Sequence, residues 1–153
     1  MAYRMVWIVP NRVLLTTFEG DVTQIELQQF VADIRDRVRS GEAPVYHISN
    51  SLNMGKVHLS LKALGDLIKN VSIFAELGAQ IDINKPRSLN AFLASVGSQL
   101  IRVKSYMVQS LDEAVQVVKR VDPALENALW QMPPLAGTEE TRIPSAGNQT
   151  SAS

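Results

Sequence analysis

The side chains able to do chemistry in this chain are few and scattered. Two histidines, His47 and His58, stand eleven residues apart. With no cysteine anywhere and no carboxylate at recognisable ligand spacing, they do not compose a zinc site. His58 and Ser60 could pair as base and nucleophile, but no orienting acid and no Gly-x-Ser-x-Gly elbow accompanies them. His47 reads as a packed strand residue. Asp21 and Asp82 read as turn or capping carboxylates. Gly55-Lys56 lacks both the earlier glycine and the following Ser/Thr of a phosphate loop, which argues against ATP hydrolysis. No catalytic set, metal site or cofactor is implied, and a non-enzymatic protein is expected.

What remains is a group of hydroxyls, amides and charges placed after the third and fourth apolar strand runs. Ser49, Asn50, Ser51 and Asn53 follow one run, and Asn84, Lys85 and Arg87 follow the next. In open parallel sheets, ligands settle beyond the carboxyl ends of the strands. Helix N-termini at that pole offer free N–H groups to an anion or a phosphate headgroup. The same residues are ordinary loop formers, so turn chemistry explains them equally well. Together with Ser60 they form the expected ligand or partner surface.

Composition narrows the partners. Lysine and arginine number 15 and aspartate and glutamate 15, which removes any net electrostatic reason to bind DNA, RNA or an anionic membrane. The N-terminus carries Asn11 and Arg12 after a short apolar stretch, unlike a signal peptide. No uncharged apolar run approaches the roughly 18 residues that a membrane span requires. A soluble, cytoplasmic protein without a transmembrane segment is the expectation. The 46% hydrophobic content of 153 residues suffices for one packed core.

The elements that must position these residues are legible from periodicity. Tyr3–Val9 and Val13–Phe18 flank Pro10-Asn11-Arg12 and predict an antiparallel hairpin. Thr23 with Glu26 forms a capping box ahead of Leu27, Phe30, Val31, Ile34 and Val38 at helical spacing, with Gly41 just beyond. Val45–Ser49 predicts a strand and Asn50–Lys56 a polar connector. A helix is predicted over 59–71, with Leu61, Leu64, Ile68 and Val71 on its apolar stripe. Leu77–Ile83 predicts a strand, residues 89–100 a helix, and Ile101–Val108 a strand at a sheet edge. Ser110 and Glu113 open the next helix, which carries Ala114, Val117, Val118 and Val121. Asp122-Pro123 suits the start of a short appendage reaching Trp130.

This order predicts an α/β fold: an antiparallel hairpin on a mixed sheet, parallel later strands and about four main helices. Residues 1–132 form the domain. Residues 133–153, rich in Gly, Pro, Ser, Thr and Glu, are expected to be a flexible polar tail.

The element order, with the segment Tyr106-Met-Val-Gln-Ser-Leu-Asp-Glu-Ala114, resembles the STAS superfamily over residues 3–120. The closer resemblance is to its anti-sigma factor antagonist-like branch, which borders on lipid-binding domains of the Sec14 type. The resemblance implies a regulatory or protein-interaction domain with a protein partner or a homodimer. The neighbouring branches imply, as an alternative, a small apolar or lipid-like ligand. Phosphorylatable members carry an Asp-Ser-Ser-Gly-type segment before the helix that follows the third strand. Ser60 is nearest by element position, in His58-Leu59-Ser60-Leu61, where the aspartate, the paired serine and the glycine are missing. Ser60 therefore reads as an N-cap, partly buried between Leu59 and Leu61.

Overall fold

The computed structural model describes residues 2–70, 75–85 and 103–133. β1 (Tyr3–Val9), β2 (Val13–Val22), α1 (Gln24–Ser40), β3 (Val45–Val57), α2 (Leu61–Asn70), β4 (Leu77–Ile83), β5 (Ser105–Val108) and α3 (Leu111–Val121) follow one another in that order, and a 3₁₀ turn spans Pro123–Leu125. The five strands form one sheet in sequence order, β1-β2-β3-β4-β5. β1 and β2 pair antiparallel, and β2–β3, β3–β4 and β4–β5 all pair parallel. The expected mixed sheet is present. Three α-helices lie among the described residues, and the helix expected at 89–100 falls outside them.

The hairpin closes as its turn residues dictate. Asn11 takes a φ of 63°, a left-handed conformation that asparagine tolerates better than most residues. Helix α1 starts at Thr23, whose hydroxyl accepts from Glu26 N, while the Glu26 carboxylate accepts from Thr23 N. Ser110 caps α3 through Glu113 N, but there the Glu113 carboxylate takes Gln109 N.

Alternation along the strands divides the apolar residues between two faces. On one, Ile8, Val13, Leu15, Ile48, Ala79, Ile81 and Ile83 pack with Ala114, Val117 and Val118 of α3 and with Leu125. On the other, Tyr3, Met5, Leu14, Phe18, Val45 and Leu77 pack with Ile34 and Val38 of α1. Tyr3, Phe18 and Phe30 form an aromatic cluster there, with ring centroids 5.0–6.0 Å apart. Burying each such aliphatic side chain contributes about 1.5–3 kcal/mol, so both faces are needed to hold the sheet.

Edge strand β1 is partly closed: Arg37 Nη1 donates to Met5 O at 3.3 Å, and Gln131 N donates to Ile8 O at 2.7 Å. Occupied edge carbonyls are poor templates for pairing with another chain. The stretch from Asp122 to Trp130 is less helical than expected, with a single 3₁₀ turn after the Asp122 cap. Trp130 packs against the first core with its Nε1 on Leu125 O at 2.8 Å.

Three boundaries differ from the sequence expectation. β2 runs on to Val22, and β3 continues through Asn50–Lys56, which the polar composition had marked as a connector. Glu19, Gly20 and Val22 pair with Asn53, Met54 and Val57, beyond the last partners of β1 and β4, so the two strands project as a tongue. Backbone pairing needs no apolar side chain, which is why alternation does not reveal it. β5 is confined to Ser105–Val108 at the sheet edge, with Val103 and Lys104 before it and 101–102 outside the described residues. Leu61, expected on the apolar stripe of α2, is 89% exposed, because it occupies the first turn of the helix.

Candidate functional site

The sheet separates the expected site residues instead of gathering them. Asn53, Ser60 and Lys85 are exposed, Asn50 is half-buried, and Ser49, Ser51 and Asn84 are buried. Arg87 lies outside the described residues. Ser49, Ser51 and Asn84 are therefore not loop residues exposed at the pole. Ser49 and Ser51 belong to β3, where alternation turns both to the α1 face of the sheet. Asn50 points the other way along the strand and folds its own backbone, its Oδ1 accepting from Leu52 N at 3.2 Å.

The exposed residues cluster by element on the tongue and at the start of α2. Asp21 Oδ1 accepts from Lys56 N at 2.8 Å, and Asp21 Oδ2 lies 3.3 Å from His58 Nε2. The Lys56 N–H first, and then His58, hold the Asp21 carboxyl below its ordinary range. Asp21 thus ends β2 by tying it to β3, and it does not meet Asp82 as a paired carboxylate. Ser60 caps α2, accepting from Ala63 N at 3.0 Å, while Leu64 N bonds Ser60 O at 2.9 Å. Its side chain is exposed and Leu61 is more so, which corrects the expectation that these neighbours partly bury the hydroxyl. Burial does not stand against phosphorylation of Ser60. The missing Asp-Ser-Ser-Gly-type segment still does.

The feature that sequence reading missed is a buried polar ladder across β2, β3 and β4. Thr16, His47, Gln80 and Asp82 share the α1 face, and the register places His47 opposite Gln80 and Ser49 opposite Asp82. Gln80 Nε2 donates to Asp82 Oδ1 at 3.0 Å. That orients the amide so that Gln80 Oε1 accepts from His47 Nδ1–H at 2.7 Å. His47 Nε2 then carries no proton and accepts from Thr16 Oγ1–H at 2.8 Å. Each bond fixes the direction of the next. Burial pushes the His47 imidazole down to about 4, opposed in part by Gln80, so it is neutral at pH 7. Burial pushes the Asp82 carboxyl up to about 6, opposed by the Gln80 amide. Asp82 is an interior strand residue, not the turn or cap residue expected from its place near a strand end. The available signal was the spacing Gln80-x-Asp82-x-Asn84, one polar face inside an apolar strand.

A cleft of about 410 Å³ opens beside β1, lined by Tyr3, Arg4, Thr17, Glu19, Asp33 and Arg37 among others. It carries both signs of charge. Three of its polar side chains are engaged: the Tyr3 hydroxyl donates to Asp33, and Arg37 donates to Met5 O. Burial and then the Asp33 bond raise the Tyr3 hydroxyl above its ordinary range. No group of three or more His, Asp or Glu side chains that could hold a metal ion occurs among the described residues. No helix among them is long and apolar enough to cross a membrane.

No protein-family model matches the chain, and no curated protein matches it. Solved structures do. One is an uncharacterised protein of the DUF3478 family with a SpoIIAA-like fold from Shewanella loihica PV-4. It is 11% identical, with a TM-score of 0.55 over 76% of this chain and 93% of that one. Another is the anti-sigma factor antagonist SpoIIAA in its unphosphorylated form. It is 15% identical, with a TM-score of 0.50 over 78% of this chain and 98% of that one. The antiparallel β1–β2 hairpin followed by parallel strands is the arrangement they share with it, and the chain has the SpoIIAA-like fold.

Proposed function

We propose that the protein is a non-enzymatic regulatory domain that acts by presenting one surface to a protein partner. The observation that carries this reading is the SpoIIAA-like fold, since one structure that shares it is an anti-sigma factor antagonist, a role exercised on another protein. The surface we assign to the partner is the tongue and the start of α2, where Asn53, Lys56, Ser60 and Leu61 stand exposed. An unpaired leucine 89% exposed beside polar groups suits a contact that buries it. At this surface Asp21 meets His58 and Ser60 caps α2, and no hydrogen bond joins His58 to Ser60 among the described residues. The lipid-like alternative has no observation of its own there: the cleft beside β1 is charged, and the β3–β4 end of the α1 face is polar.

Native mass spectrometry of the protein isolated from its own cells tests the reading. A stoichiometric polypeptide partner is expected with the unaltered chain and not with Leu61→Asp, whose melting temperature stays near that of the parent. A chain that carries no polypeptide partner, or a partner indifferent to Leu61→Asp and to Lys56→Glu, overturns it.

A further inference from the structure

We infer that residues 138–142, in the sequence Thr-Glu-Glu-Thr-Arg, add to the outer edge of β1 as a further, antiparallel strand and close the cleft beside it. The edge is prepared for a strand. Glu19 N donates to Ala2 O at 2.8 Å, so Ala2 and its alternate neighbours Arg4 and Val6 turn their backbone groups toward β2. Tyr3, Met5 and Trp7 then turn theirs outward. Arg37 Nη1 reaches Met5 O at 3.3 Å, in the position that a neighbouring strand's N–H would hold.

The chain itself delivers the occupant. Gln131 N already donates to Ile8 O at 2.7 Å, so the polypeptide leaves the described residues beside this edge, and residues 134–153 follow. Tyr3 lies five residues back along β1, roughly 17 Å from Ile8. Six extended residues, 132–137, span roughly 20 Å, which brings residue 138 beside Tyr3. A strand running from Ile8 toward Tyr3 is antiparallel to β1. Pro133 and Pro134 have no N–H to offer, so pairing starts after them. Residues 138–142 contain neither proline nor glycine.

Charge selects this segment. The cleft presents Arg4 and Arg37 with Glu19 and Asp33, all exposed, and the segment presents Glu139 and Glu140 with Arg142. An acidic pair meets two guanidiniums, and one guanidinium meets two carboxylates. Each exposed pair contributes only about 0–1 kcal/mol, so the contact is weak between separate molecules. Tethering changes that, because a short linker holds the segment at roughly millimolar effective concentration. Strand addition uses backbone donors and acceptors, and so does not need the apolar area that residues 133–153 lack. A second copy of the chain would have to pair with the same edge untethered, past Gln131 and Arg37. The contact makes no use of Lys56, Ser60 or Leu61, so it and the assigned partner surface fail separately.

A nitroxide on Ser145→Cys, the sole thiol in a chain without cysteine, tests the inference by NMR of the whole ¹⁵N-labelled chain. Broadening is expected at the amides of Tyr3, Met5, Asp33 and Arg37, with Val108 at the other sheet edge unaffected. Exchange of the Tyr3 and Met5 amides should be about ten-fold slower than in a chain carrying Glu140→Pro and Thr141→Pro, whose melting temperature stays near that of the parent. Two adjacent prolines remove a donor from either phase of the strand. Uniform or absent broadening, or equal exchange in parent and variant, overturns the inference. So does broadening of unmodified ¹⁵N-labelled chains mixed with unlabelled nitroxide chains, which would assign the edge to a second copy.

Discussion

Arg12 Nη2 lies 2.8 Å from Asp122 Oδ2, joining the β1–β2 turn to the end of α3 across 110 residues of sequence. The two side chains are only 22% and 17% exposed, so solvent screens the pair weakly. The Tyr46 hydroxyl donates to the same oxygen at 3.1 Å, and Arg12 Nε donates to Pro44 O at 3.1 Å. Burial first, and then the Asp122 bond, push the Tyr46 hydroxyl up to about 12. One carboxylate thus fastens three segments and, through Oδ1 on Ala124 N, begins the 3₁₀ turn as well.

Asp122→Ala should therefore be the costliest single change in this cluster. It leaves a guanidinium and a phenol without their acceptor, and a loss of about 2–4 kcal/mol is expected in urea unfolding. Tyr46→Phe removes one bond and should cost about 1 kcal/mol. Equal midpoints for the two variants would show that Asp122 does not link the segments.

The buried ladder makes a prediction about pH in which two groups oppose each other. His47 titrates near 4 in the folded chain against 6.5 when free, so its contribution to stability is full above 6.5 and is lost as pH falls toward 4. Asp82 titrates near 6 against 3.8, so its contribution is full below 3.8 and is lost as pH rises through 6. Each amounts to about 3 kcal/mol, with opposite sign, over nearly the same window. The parent should show little net slope from these two groups between about pH 4 and 6. Asp82→Asn should become steadily less stable on acidification there, and His47→Phe more stable. Chemical denaturation at several pH values reads both slopes, and parallel profiles for the two variants would refute the opposition.

Ser60→Ala should cost about 1 kcal/mol by removing the acceptor for Ala63 N. Ser60→Asp should retain stability, because aspartate caps equally well and its charge suits a helix N-terminus. Thermal melting and amide exchange at Ala63 measure the effect. Faster exchange in Ser60→Asp than in Ser60→Ala would remove the capping role.

Gly55→Ala should loosen the tongue. A Cβ at residue 55 would stand 2.2 Å from Asp21 Oδ1 and 3.1 Å from the backbone at Gly20 and Asp21. The carboxylate must swing away, releasing Lys56 N and His58. Hydrogen exchange should quicken at Lys56 and at His58, whose N bonds Val22 O at 2.8 Å, while Ile48 and Ile81 remain protected. Unchanged exchange along Asn53–His58 would show that this approach is not constrained.

Much of the architecture was legible in local chemistry. Pro10-Asn11-Arg12 specifies a turn, Thr23 with Glu26 a helix start, and Ile34 and Val38 an inward face, because each depends on residues a few positions apart. The expected strand Leu77–Ile83 appears with those limits for the same reason. Other features depended on pairing between distant segments. The β3 extension through Asn50–Lys56 forms because β2 lies beside it and Asp21 accepts from its backbone, and no periodicity in the strand itself announces that.

The candidate site divides along the same line. Sequence alone determined which groups were available: two histidines, no cysteine, and hydroxyls and amides near the third and fourth strand ends. It also determined that Ser60 would cap a helix, since the N–H groups it serves lie three and four residues ahead. Only the tertiary structure decided which of these groups are buried and which meet. Ser49, Ser51 and Asn84 went inside, Asn53 and Ser60 stayed out, and Asp82 became an interior carboxyl at the end of a directed chain from Thr16. Pairing register sets that outcome: it places His47 opposite Gln80 and Ser49 opposite Asp82, and a shift of one residue would turn each side chain to the other face.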